Sequence, residues 1–339
     1  TCPARHRRRA KGFPLRFEPD PRPAPTPLPK STPPVPGEQF ASLIERAAFQ
    51  HGAAIGDVLD QAGVQRSPSG GVALYGAHLE QHDLHRVATV LGVTPDSIRR
   101  TLLSEYEGTV LEPGTLTVPG GAPPHRIARQ WISVRASRAC PACVIETDGA
   151  WQLDWKLATT AVCPRHRLFL ACTCPGCGRQ LRRGDTGKPM PAFPSLVPDP
   201  FQCFNSSPHT STGQQIPCRH DIATVDVGEP LDSRYDRLVT AQEMWLAAAH
   251  WQPGWVAGEL MPARQWLRVA HDIAALLNFG LTVHHLDQQG WLFPDPCLDG
   301  WDRHAWYRDR QRSKGDAAPS YTSPPTDSYT AAIVVDLVV

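Results

Sequence analysis

Apolar positions recur at helical spacing through the first third of the chain. Phe40, Leu43, Ile44, Ala47 and Ala48 stand at i, i+3, i+4, i+7 and i+8, which predicts a helix stopped by Gly52. Ile55, Val58, Leu59 and Ala62 predict a second short helix, and Leu84, Val87, Ala88 and Leu91 a third. Gly92 then turns the chain, Thr94 can cap, Pro95 suits the first helical position, and Ile98, Leu102 and Leu103 continue. Helix, short turn, helix is the layout of a helix-turn-helix, and equally of any helical hairpin. Residues 37–108 are therefore read as a helical, HTH-like domain. Arg99 and Arg100 fall on its last helix, where they are either nucleic-acid contacts or an ordinary solvated face.

The period changes beyond a Gly/Pro linker at 109–125. Trp151, Leu153, Trp155 and Leu157 alternate with Gln152, Asp154 and Lys156, which predicts a half-buried strand. Helical spacing returns with Tyr235, Leu238, Val239, Gln242, Trp245 and Leu246, and again with Trp266, Leu267, Ala270, Ile273, Ala274 and Leu277. Residues 231–310 are read as a second helical domain. The flanks lack a pattern: residues 1–36 are basic and then proline-rich, and 311–339 form a tail, so both are expected to be disordered. Ala331–Val339 is apolar without context and reads as a frameshifted or truncated end. Beginning at Thr1 rather than Met, the chain reads as a fragment.

Candidate chemistry lies between the helical domains. Cys140-Pro-Ala-Cys143 is followed, after 19 residues, by Cys163-Pro-Arg-His166, and then by Cys174-Pro-Gly-Cys177. Two thiolates two residues apart share a tight turn, each about 2.3 Å from one ion, and a second hook 15 to 20 residues on is a zinc-site spacing. The first ligand set is therefore Cys140, Cys143, Cys163 and His166. The second starts from Cys174 and Cys177 and is completed by Cys203 and Cys218, with Cys172 and His220 as substitutes. Cys2 and Cys297 have no evident partner. Four protein ligands leave no open coordination position, so both ions are structural zinc and 126–230 is a double zinc-binding module. The expected fold is mainly α with small β zinc-knuckle modules: a helical N-terminal domain, a double zinc-finger middle and a helical C-terminal domain.

Charge changes this picture little. The net charge of +1 sets up no global field for nucleic acid, and no apolar run approaches the length of a membrane span. Residues 1–16 hold six Lys or Arg and nothing like a signal peptide, which with the paired thiols points to the cytoplasm. From Arg126 to Arg183 there are ten Lys/Arg against three Asp/Glu. Two zinc–thiolate centres reduce that excess to about +4, a modestly basic surface on which Arg135 and Arg138 are candidate phosphate contacts. A catalytic reading starts from His78-Leu-Glu80 and Cys140-Pro-Ala-Cys143, which superficially match the deaminase pattern H-x-E and P-C-x-x-C. Ala139 stands where that pattern has proline, and the reading leaves Cys163 and His166 without a role. No phosphate loop, dinucleotide fingerprint or nucleophile elbow occurs, and the chain is read as a non-enzyme.

These residues resemble a family. Gly37-Glu-Gln-Phe-Ala-Ser42-Leu43-Ile44-Glu45-Arg46 resembles the opening of TniQ proteins, with Gln39 and Leu43 in place of the usual serine and aromatic. Phe13-Pro14-Leu15-Arg16 with Pro19 resembles the short segment before it. Arg138-Ala-Cys140-Pro-Ala-Cys143, Trp151-Gln-Leu-Asp-Trp155, Val162-Cys163-Pro-Arg-His166 and Cys174-Pro-Gly-Cys177-Gly resemble that family's zinc region element by element. The likeness spans residues 13–183. It implies a non-catalytic adaptor of DNA transposition that links target selection to an AAA+ ATPase and its transposase. Implied partners are that ATPase, a target-selection protein or CRISPR effector complex, and DNA held weakly through phosphates. The member best known for CRISPR guidance works as a dimer, which makes a homodimer an option here. The rival from another class is a stand-alone zinc-containing HTH regulator, and the remote third is a zinc deaminase.

Overall fold

The computed structural model describes residues 22–64, 76–116, 130–134, 136–182, 193, 195–207, 216–256, 258–288, 293, 295–303, 325 and 327–339. The N-terminal unit is built from helices α1 (Phe40–Gln50), α2 (Ile55–Ala62), α3 (Gln81–Leu91) and α4 (Pro95–Arg99). Their apolar stripes meet in one core of Phe40, Leu43, Ile44, Leu59, Val87, Leu91 and Ile98. Gly63 and Gly92 end α2 and α3 in the left-handed region. The Thr94 hydroxyl accepts the Ser97 N–H at 3.2 Å, with Pro95 in the first turn. The helix this starts is only five residues long.

The extended segment before α1 corrects the expectation of disorder through residue 36. From Arg22 onward it is strapped across α2 and α3, where Leu28 N–H donates to Val90 O at 2.8 Å and Thr32 N–H to Leu91 O at 3.0 Å. The Arg86 guanidinium donates to both Ala62 O and Pro23 O. Prolines hold this run extended before it docks, so ordering it costs little backbone entropy, and its remaining donors find helix-end carbonyls. Part of the expected linker is ordered too: Thr109, Leu111 and Leu116 are buried, while residues 117–125 lie outside the described set.

The segment expected as a strand is a 3-10 turn, Leu153–Lys156. Only its flanks pair, Gln152 with Glu38 and Leu157 with Ile132. Trp151 and Trp155 are four apart, as are Leu153 and Leu157, so one turn of helix segregates them as well as a strand would. The two pairs face different cores. Trp151 and Trp155 pack among the cysteines, and Leu153 and Leu157 pack with Tyr106, Leu111 and Ala249.

The C-terminal helices are α6 (Asp236–Ala249), α7 (Ala263–Gly280), α8 (Val283–Gln288) and α9 (Ser328–Val338); α5 belongs to the metal module below. A short antiparallel hairpin of β3 (Gly254–Val256) and β4 (Glu259–Met261) joins α6 to α7. Helix α9 overturns the reading of 311–339 as a disordered tail over residues 327–339, while residues 311–324 and 326 lie outside the described set. Ala331 through Val335 are fully buried against α6 and α7, sharing a core with Trp245, Trp266 and Trp301. Asp327 caps α9, one carboxylate oxygen accepting the Thr330 N–H at 2.8 Å and the other its hydroxyl at 3.0 Å. An apolar run without context in the sequence is the central helix of a core in the fold. Truncating Ile333 to Ala is expected to destabilise the chain by ~2–5 kcal/mol, measured by denaturant unfolding; an unchanged midpoint would show that α9 is not part of that core.

Candidate metal centres

The first centre is assembled by a helix start and a hairpin turn. Helix α5 (Pro141–Glu146) begins just after Cys140, so Cys140 and Cys143 flank its first turn. The hairpin of β1 (Val162–Cys163) and β2 (Leu168–Phe169) supplies Cys163 and His166, with Arg167 in the left-handed region and its N–H on Cys163 O at 2.7 Å. The ligand atoms of these four residues all lie within 4.8 Å of one another. His166 Nδ1 is 3.2 Å from the Cys143 sulfur and 3.5 Å from those of Cys140 and Cys163, and the Cys143 and Cys163 sulfurs are 3.5 Å apart. Bonds of about 2.3 Å to a tetrahedral ion require sulfur–sulfur edges of roughly 3.8 Å. The side chains are thus arranged close to the size of that polyhedron.

The second centre brings distant cysteines together. Cys174 and Cys177 share a tight turn closed by Gly178 N–H on Cys174 O at 2.8 Å. Cys203 and Cys218 arrive on opposed extended segments, where Cys203 N–H donates to His220 O at 2.7 Å and Cys218 N–H to Asn205 O at 2.8 Å. The four sulfurs again lie within 4.8 Å of one another, with Cys174 to Cys218 at 3.7 Å and Cys177 to Cys203 at 3.9 Å. Cys172 points elsewhere, its sulfur 2.9 Å from the Ser328 hydroxyl, and His220 lies outside the group. Of the two alternatives for completing this set, the fold brings together Cys203 and Cys218.

The electrostatics of both groups are those of crowded thiols. Hydrogen bonds from Cys140 and Cys143 hold the Cys163 thiol well below its usual range, while the contacts with Cys140 and Cys163 push Cys143 far up. Burial pushes Cys203 upward and Cys218 to about 11. Backbone N–H groups of His166, Arg179, Asn205 and His220 face the sulfurs of Cys163, Cys177, Cys203 and Cys218 and favour their charged forms. Several thiolates this close repel one another, and a dication at their centre turns that repulsion into attraction. The donors fit a soft or borderline divalent ion.

Sequence reasoning missed Glu146 and Asn205. The Glu146 carboxylate sits 3.0 Å from His166 Nε2, the face of the ring turned away from the sulfurs. Burial opposes the charged ring, but Glu146 and the Cys163 sulfur outweigh it and hold the His166 pKa above its usual value. The Asn205 amide donates to Gln180 O at 2.7 Å and faces the Cys177 sulfur at 3.8 Å. Glu146 is three residues after Cys143 on α5, a spacing that places both on one face, and this was a readable signal. Nothing local marked Asn205.

The four arginines singled out as nucleic-acid contacts are scattered. Arg99 is half-buried and paired with Asp96 and Gln81, and Arg100 is exposed. Arg135 lies outside the described residues. Arg138 corrects the expectation: it is 7% exposed, and its guanidinium donates to the carbonyls of Leu157, Ala158, Thr160, Pro325 and Asp327. It ties the metal module to the segment leading into α9, and its donors point away from solvent. His78 and Glu80 belong to neither metal-ligating group among the described residues.

Replacing Arg138 with Ala is therefore expected to cost on the order of 3 kcal/mol or more, because several buried carbonyls lose a charged donor. Denaturant unfolding measures the loss. A variant that stays as stable as the parent, yet loses about one phosphate contact from its salt dependence of DNA binding, would show that Arg138 reaches DNA.

No curated protein matches the chain. Residues 29–170 match the family model TniQ, a span holding α1 to α5 and all four ligands of the first centre. Over residues 29–170, somewhat less than half of its length, the chain is similar to the TniQ family.

Proposed function

We propose that this protein is a non-catalytic adaptor of DNA transposition, linking target-site selection to an AAA+ ATPase and transposase, and that its two centres hold structural zinc. The observation that carries the reading is the closed donor set at each centre, three thiols with one imidazole and four thiols. Zinc held by four protein ligands has no position for a water or substrate, so it supplies cross-linking and charge balance and no Lewis-acid step. Cys140, Cys143, Cys163 and His166 would hold one ion, and Cys174, Cys177, Cys203 and Cys218 the other. The match of residues 29–170 to the TniQ family model supports transposition as the setting. No helix among the described residues is long and apolar enough to cross a membrane.

The stand-alone regulator is less well supported. The last helix of the HTH-like unit has five residues, too few to present a row of base-reading side chains along a groove, and Arg99 on it is already paired. With Arg138 buried and 34 Lys/Arg balanced by 33 Asp/Glu, the chain as a whole carries little excess positive charge to attract phosphates. DNA contacts would be sparse and directed at the backbone, with target choice supplied by a target-selection protein or CRISPR effector complex.

Two measurements test this. Elemental analysis of the purified chain is expected to find two zinc ions per monomer, and Cys140→Ser to lose one and unfold the metal module, since structural zinc carries much of such a module's folding free energy. A chain that keeps its cooperative unfolding after strong chelation would refute the structural role. Titrations with unrelated duplexes at two salt concentrations are expected to give similar affinities, micromolar or weaker at physiological salt, alongside association with the cognate AAA+ ATPase in a pull-down. One sequence bound a thousandfold more tightly with no partner present would favour the regulator instead.

A further inference from the structure

The two centres differ in one chemical respect. The second has only sulfurs, whereas the first is closed by an imidazole, which must choose between two ring nitrogens and two orientations about its bond to Cβ. A thiolate needs no such choice. In the folded chain, His166 Nδ1 faces three sulfurs at 3.2 to 3.5 Å, and Nε2 faces a Glu146 carboxylate oxygen at 3.0 Å. The other Glu146 oxygen is 2.9 Å from the Arg165 guanidinium. Glu146 therefore stands between the two residues that immediately precede Arg167, one oxygen turned to each.

The placement follows from the local fold. Cys143 and Glu146 are three residues apart on α5, so a single helical face carries a metal-ligating sulfur and the carboxylate. The hairpin turn then delivers His166 between them. His166 is also the least buried ligand of its centre, its side chain 16% exposed while the three cysteines are buried. A partly exposed ring with nothing on its outer nitrogen could rotate away; one with a carboxylate there keeps the hydrogen on Nε2 and the lone pair on Nδ1.

We propose that Glu146 is a positioning residue of the first metal centre: its carboxylate accepts the Nε2–H of His166, fixes the ring with Nδ1 toward the sulfurs, and so governs how fast this centre releases its ion. The proposal rests on the zinc reading above. Outer-sphere carboxylates that orient a ligating imidazole change metal affinity by about 10- to 100-fold when removed. An exposed glutamate–arginine pair by itself is worth little, so a purely superficial role for Glu146 predicts no effect at the metal.

The test uses the full chain, with the second centre as an internal control. Metal content is measured first, then release to a chromophoric chelator is followed in time, and the cobalt(II)-loaded chain is recorded by absorption spectroscopy. Glu146→Ala is expected to retain two ions, accelerate one release phase by about 10- to 100-fold, and shift the cobalt bands of the three-sulfur, one-nitrogen centre. The other phase should stay at the parent rate. Glu146→Gln, whose amide oxygen still accepts from Nε2–H, should restore much of the delay, and Arg165→Ala should leave both phases near the parent. Fewer than two ions in the parent chain would overturn the zinc reading. Two ions with both phases and the cobalt bands unmoved in Glu146→Ala would overturn the positioning role of Glu146 alone. An equal acceleration in Arg165→Ala would assign the effect to the surface ion pair and likewise reject that role.

Discussion

Much of this protein is arranged around the segment Trp151–Leu157, which lies between Cys143 and Cys163 of the first candidate metal centre. Cys143 lies just before it and Cys163 just after, so bringing those two sulfurs to 3.5 Å closes the segment into a loop. That loop then serves as a core for its neighbours. Leu153 N–H donates to Gly37 O at 2.7 Å, Gln39 N–H to Trp151 O at 2.8 Å, and Trp151 N–H to the Ser42 hydroxyl at 2.9 Å. Gly37 has φ near +75°, a conformation a side chain would strain, and this accounts for the glycine that opens the family-like motif. On the opposite side, one Asp154 oxygen accepts the Tyr106 hydroxyl at 2.6 Å and faces His250 Nε2 at 2.8 Å. Burial and Asp154 push the Tyr106 pKa well up, so it stays a donor, and the same carboxylate raises that of His250. A seven-residue loop thus touches the N-terminal helices, the metal module and the end of α6.

Charges buried at these junctions make the joint specific. Glu45 on α1 pairs with Arg182, just beyond the second cysteine knuckle, at 2.6 Å, and the Arg182 guanidinium lies 4.1 Å from the centroid of the Trp151 ring. Lys156 is buried beside them, and burial together with the Arg182 charge lowers its pKa to about 7 against the pull of Glu45. Removing one member of a buried pair typically costs about 3–5 kcal/mol because the other is stranded, so such groups strongly penalise a misdocked arrangement. Glu38, also buried, works similarly, accepting from Val35 N–H, the Ser42 hydroxyl and Arg46.

The C-terminal helices are docked by the same kind of contact. Gln242 on α6 accepts Ala161 N–H at 2.7 Å, and Arg167 donates to Leu231 O at 2.6 Å. Phe169 on β2 packs against Tyr329 on α9, with ring centroids 4.8 Å apart. The first metal hairpin is therefore also the platform on which the last helix of the core is laid. An ion held by this centre would therefore brace the C-terminal unit as well as the knuckle itself.

Helices α1 to α4, their caps at Thr94 and Gly92, and the first ligand set were legible because each depends on contacts within a few residues: a 3.6-residue period, a hydroxyl three positions from its N–H, thiols on one tight turn. The spacing of Cys174 and Cys177 was equally local, whereas the choice of Cys203 and Cys218 over Cys172 and His220 required the opposed segments that only the fold aligns. Trp151–Leu157 read as a strand because alternation over seven residues also fits two pairs four apart, and only the surrounding cores distinguish the two. Arg138 read as a surface cation because its charge is visible in sequence while the five carbonyls that enclose it are not. The strap from Arg22 and helix α9 looked disordered for the same reason: each is ordered by partners far away in the chain. Sequence by itself determined most of the local turns and the thiol hooks that make candidate metal ligands; tertiary structure decided which polar groups are buried, since burial depends on residues more than a hundred positions apart.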